Sequence, residues 1–74
     1  MKRRHPVLSA FGQSVRVRRE AKYLTQKILA KKARIHRAYL CEVEGGTRNV
    51  TLKNIVRIAN ALDVSVARLL KDVL

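Results

Sequence analysis

Seventeen Lys and Arg against five Asp and Glu in 74 residues, a formal charge of +12, describe one small and strongly basic domain. A chain of this length buries only about 60% of its unfolded surface, which leaves no room for a large buried catalytic cleft. A hydrophobic content of 47% is too high for a disordered basic tail, and a single cysteine, Cys41, excludes an internal disulfide.

Apolar residues recur at three- and four-residue spacing, which is the helical period. After a basic start over residues 1–7, Leu8, Phe11 and Val15 mark a first helix expected from Leu8 to Lys22. Arg18 stands on that stripe where an apolar residue would fit; its stem can lie on apolar surface with the head in water. Thr25 is expected to cap a second helix, Gln26 to Ala33, with Leu29, Ala30 and Ala33 inward. A third runs from His36 or Arg37 to Glu44, with Leu40 and Val43 inward, and Gly45-Gly46 stops it. Thr51 caps a fourth helix carrying Leu52, Ile55, Ile58, Ala59 and Leu62. Asp63-Val64 turns the chain, and Ser65 caps a fifth with Leu69, Leu70, Val73 and Leu74 apolar. The expectation is a compact all-α fold of five helices, with residues 1–7 as a basic arm and 8–74 as the domain.

Charge is uneven along this order. Residues 1–37 hold twelve Lys/Arg and one acid, Glu20; residues 38–74 hold five Lys/Arg and four acids. A basic half on a folded domain reads as a surface that faces a polyanion. No Ser/His/Asp arrangement, paired carboxylate or glycine-rich phosphate loop is present, so catalysis is not expected. His5 and His36 lack the ligand spacing of a zinc site, so no metal and no cofactor is expected. No apolar run is long enough to span a bilayer, and no long apolar stretch follows the basic start. A membrane or secretory role is therefore not expected, and a cytoplasmic, nucleoid-associated one is.

Two short helices separated by two or three residues form a helix-turn-helix, whose second helix enters a major groove. Ala30 is small where the two must approach. The segment from Leu24-Thr25-Gln26 through Leu29-Ala30, Tyr39-Leu40, Glu42, Glu44, Arg48-Asn49 and Ile58-Ala59-Asn60-Ala61-Leu62, with Phe11-Gly12 and Arg19 before it, resembles the lambda-repressor-like (Xre-type) helix-turn-helix domain. The run Arg48-Asn49-Val50-Thr51-Leu52-Lys53-Asn54-Ile55 is most similar to controller proteins of restriction–modification systems.

The resemblance implies a sequence-specific regulator of double-stranded DNA that works as a homodimer and takes no small-molecule ligand. It implies that Arg37, Ala38 and Glu42 face base edges. Arg37 suits guanine, Glu42 the cytosine amino group and Ala38 a thymine methyl. It implies that Gln26 binds a phosphate, with Thr25, Arg34, His36, Tyr39, Arg48 and Asn49 also on the backbone side. It further implies that Arg19 and Glu44 form a partly buried ion pair.

Several residues depart from the family pattern. Tyr23 and Arg34 stand where the family has glycine, at places where φ > 0 is often required. Ile28 and Val17 stand where it is polar. Tyr23, Ile28, Arg34, Ala38 and Cys41 lie on or beside the surface that would meet DNA. A second reading therefore stays open: a scaffold whose exposed face, by natural conversion or by engineering, binds a protein partner through Tyr23, Ile28, Arg34 and Cys41. The fifth helix carries more apolar residues than one side can bury. Leu70, Val73 and Leu74, with Val64 beside them, are expected at a two-fold contact.

Overall fold

A computed structural model of the chain describes residues 5–73, which form five helices: α1 Pro6–Ala21, α2 Gln26–Ala33, α3 Arg37–Glu44, α4 Leu52–Ala61 and α5 Val66–Leu69. The start of α1 comes two residues before the expected Leu8. Proline at the first helical position presets φ and lacks an N–H that would go unpaired there. The Val7 N–H then donates to His5 Nδ1 at 3.2 Å. Pro6 and Val7 thus belong to the helix and not to the arm; Lys2, Arg3 and Arg4 lie outside the described residues. The fifth helix is shorter than expected, because the chain turns at Leu70.

Hydroxyls start three of the other helices. Thr25, Thr51 and Ser65 accept from the N–H groups of Ile28, Asn54 and Arg68 at 3.1, 3.2 and 3.0 Å. Four helices end alike. The residue after the last turn is left-handed: Tyr23 (φ 58°), Arg34 (φ 58°), Gly46 (φ 76°) and Asp63 (φ 57°). In each case two N–H groups fold back onto the helix, as from Leu24 to the Arg19 carbonyl (3.1 Å) and from Ile35 to the Ala30 carbonyl (3.0 Å). This is the Schellman closure, and Leu24, Ile35 and Val64 follow as its apolar anchors on the core. Only one of the four ends uses glycine.

The core is aliphatic around one aromatic ring. Phe11 and Val15 of α1 meet Leu29, Ala30, Ala33, Leu40, Val43, Ile58, Ala59, Leu62 and Leu69. Leu52 is one of the apolar residues on the fourth helix, but it stands 73% exposed at the first position of α4, one turn before the helix reaches the core. Helix α1 packs on α3, and Gly12 is the point of contact. A Cβ there would overlap the Val43 carbonyl and lie 2.7 Å from the Glu44 carbonyl oxygen. Arg18 also differs from expectation. Its head does not end in water alone, because Nη2 donates to the Arg68 carbonyl at 2.9 Å. Ser14 Oγ likewise donates to the Leu69 carbonyl at 2.7 Å. Together they satisfy carbonyls at the end of α5, which is too short to stabilise itself.

Candidate nucleic-acid interface

Helices α2 and α3 are joined through Arg34, Ile35 and His36. The left-handed Arg34 reverses the chain, and Ile35 is half-buried. Buried Leu29, Ala30, Ala33, Leu40 and Val43 then fix how α3 sits, leaving its other face outward. Arg37, Ala38 and Cys41 are exposed on that face. Cys41 lies one turn beyond Arg37 and Ala38, so it stands on the same outward strip. The sequence places it on or beside this surface and gives it a contact only in the protein-partner reading.

The expected base-facing acid is engaged. Glu42 Oε1 accepts from Arg48 Nη2 at 2.8 Å, and the Arg48 guanidinium lies 5.1 Å from the centre of the Tyr39 ring. The structure thus joins one expected base contact and two expected backbone contacts into a single ladder. Both members of the ion pair are partly exposed, so it is worth little as stability and acts mainly by holding positions. The Tyr39 hydroxyl is buried and has no partner among the described residues.

The second cluster anchors α2. Arg19 Nε and Nη2 donate to Glu44 at 2.7 and 3.0 Å, and Nη1 donates to the Leu24 carbonyl at 2.7 Å. Gln26 Nε2 donates to Glu44 Oε1 at 3.1 Å. The Glu44 side chain is only 4% exposed. The hydrogen bond to Glu44 holds the Arg19 pKa above its ordinary range, Coulomb attraction adds to it, and burial opposes it. This cluster ties α1, the start of α2 and the end of α3 together. Gln26 therefore has its amide oriented by Glu44, while its carbonyl oxygen takes no donor among the described residues. The Thr25 hydroxyl accepts the Ile28 N–H and keeps its own hydrogen to give.

His36 and Arg34 are exposed beside the first turn of α3. His36 precedes the helix without capping it. Asn49 is exposed in the loop after α3. Among the described residues no group of three or more His, Cys, Asp and Glu could hold a metal, and no helix is long and apolar enough to cross a membrane.

A family profile described as helix-turn-helix matches residues 15–69. The control protein C.BamHI of Bacillus amyloliquefaciens is 46% identical over 55 residues, covering 73% of this chain and 68% of that protein. The crystal structure of the restriction–modification controller protein C.AhdI from Aeromonas hydrophila aligns at a TM-score of 0.82 with 45% identity, covering 84% of this chain and 94% of that one. The clp gene regulator ClgR from Corynebacterium glutamicum aligns at 0.87 with 31% identity, covering 90% and 71%.

The chain belongs to the Xre-type helix-turn-helix family. Its relatives are DNA-binding transcription regulators, not enzymes, and restriction–modification controllers stand among its close homologues. In this Xre-type chain sequence reasoning missed Asn54 and Arg57, which α4 brings beside Arg34, His36 and Tyr39. Their three-residue spacing on the fourth helix was a legible signal, but nothing in the sequence said that this face turns toward α2.

Proposed function

We propose that this chain is a controller-type transcription regulator that binds a specific double-stranded DNA site as a homodimer in the cytoplasm. The observation that carries the reading is the outward strip of α3. Arg37 and Ala38 are exposed on its first turn, Arg37 without an ion-pair partner among the described residues, with Arg34, His36, Arg48 and Asn49 flanking them. A guanidinium in this place suits the O6/N7 edge of guanine, and the flanking groups suit phosphates. Gln26 and Thr25 offer further polar groups at the start of α2. Glu42 can accept from a cytosine while it shares its carboxylate with Arg48.

One recognition helix reads few base pairs, and pairing of two copies supplies the missing specificity. The two-fold contact is assigned to the end of the chain and α4. Leu70 and Val73 line an apolar cleft of about 160 Å³ together with Val7, Leu8, Val50 and Ile55. Leu70, Val73 and Val64 are half-buried against the core, so the free apolar surface there is smaller than the sequence suggests; Leu74 lies outside the described residues. Exposed Leu52 and Val56, one turn apart on α4, supply the remainder. The test is binding to duplex DNA at two salt concentrations. The reading requires affinity that falls steeply with salt. Salt-independent binding, or none, overturns it.

A further inference from the structure

A cleft of about 200 Å³ lies between the turn of the motif and α4, lined by Arg34, Ile35, His36, Tyr39, Asn54 and Arg57. No acidic residue lines it. Among the described residues neither Arg34, His36 nor Arg57 is in ion-pair range of a carboxylate. Arg57 is half-buried, and its one hydrogen bond is a long one, Nη1 to Asn54 Oδ1 at 3.4 Å. Most of its five donors are unused. The Tyr39 side chain forms another wall; its hydroxyl is buried and has no partner among the described residues. Two guanidiniums gathered without a counter-charge repel one another. One bound oxyanion would supply the missing counter-charge, and the guanidinium fork matches a phosphate.

We propose that Arg57, on α4 and outside the helix-turn-helix, closes a phosphate site with Arg34 and His36 against the Tyr39 wall, and that a backbone phosphate of the bound duplex occupies it. The site rests on the reading of the chain as a duplex-DNA binder. Its place favours DNA over a free anion. His36 immediately precedes Arg37 in the chain, and Arg34 stands two residues before His36. A helix about 10–12 Å across nearly fills a groove about 12 Å wide, so residues beside its first turn meet the groove wall. Phosphate contacts fix register without reading sequence. Arg57 thus orients α3 from a second helix.

The test compares the full-length chain with its Arg57→Gln and Arg57→Lys variants on one duplex site across a salt series. Arg57→Gln should weaken binding about tenfold and lower the salt slope by about one, with the order of preferred bases unchanged. Arg57→Lys should keep the slope and lose only part of the affinity, which a purely structural role would not produce. A thermal melt of each variant without DNA separates misfolding from lost contact. If the parent binds with a steep salt slope and folded Arg57→Gln matches it in affinity and slope, the phosphate site is overturned while the DNA reading stands. If the parent does not bind duplex, the reading itself fails and takes the site with it. Millimolar inorganic phosphate is the third arm. Should it raise the melting temperature of the parent but not of Arg57→Gln, with equal DNA slopes, the cleft takes a free anion and the backbone assignment is overturned.

Discussion

Arg19 and Glu44, 25 positions apart, meet through two charge-assisted bonds of 2.7 and 3.0 Å, and Gln26 joins the same carboxylate. The pair therefore sets the angle between α1 and the reading helix as well as closing a buried surface. Arg19→Ala would leave the Glu44 carboxylate buried with Gln26 alone. It should destabilise the fold by about 3 kcal/mol, read from denaturant unfolding. Replacing both partners together, Arg19→Met with Glu44→Leu, should recover most of that loss. Equal damage from the single and double replacements would mean that the pair contributes more than it loses in desolvation.

Gly12 is fixed by packing and not by dihedral angle. A methyl group there meets backbone carbonyls of α3, which cannot rotate aside. Gly12→Ala should cost about 1–3 kcal/mol, and it should weaken DNA binding because α3 must shift. An unchanged melt would show that α1 and α3 can separate at no penalty.

Tyr23 gives a cleaner test of backbone strain than Arg34, since it is 95% exposed and packs on nothing. Tyr23→Gly should raise stability by up to about 1 kcal/mol, reduced by the freedom glycine adds to the unfolded chain. Loss of stability on this change would reveal a Tyr23 contact that its exposure denies.

Much of this was legible in the chain. Thr25, Thr51 and Ser65 announced three helix starts, and the spacing of Leu29, Ala30, Ala33, Leu40 and Val43 announced the faces that pack. Tyr23 and Arg34 were readable as left-handed positions only because the family has glycine there. Asp63 takes the same conformation with no such signal, since aspartate tolerates it without standing out. The outward turn of Leu52 and the cleft at Arg57 were not legible. Both depend on how α4 is rotated against α2, which a periodic pattern leaves open by a fraction of a turn. The ladder from Glu42 through Arg48 to Tyr39 was hidden for a similar reason. Gly45-Gly46 and the loop after it set where Arg48 returns, and no periodicity governs a loop.

Assembly is tested at Leu52 and Val73. The change Leu52→Glu with Val73→Glu should turn a dimer into a monomer at micromolar concentration, seen by sedimentation, with helicity preserved because neither residue is fully buried. A parent chain that is already monomeric, and binds half-sites independently, would contradict the two-fold reading.

In the proposed complex α3 reads base sequence through Arg37. Selection of bound duplexes from a random pool, run in parallel with the parent and with Arg37→Ala, measures it directly. The parent should enrich a two-fold symmetric sequence with half-sites about 10 base pairs apart. Arg37→Ala should lose preference at one guanine per half-site and about 1–3 kcal/mol of affinity. A parent pool with no enriched sequence, or the same preference profile from both proteins, would contradict it.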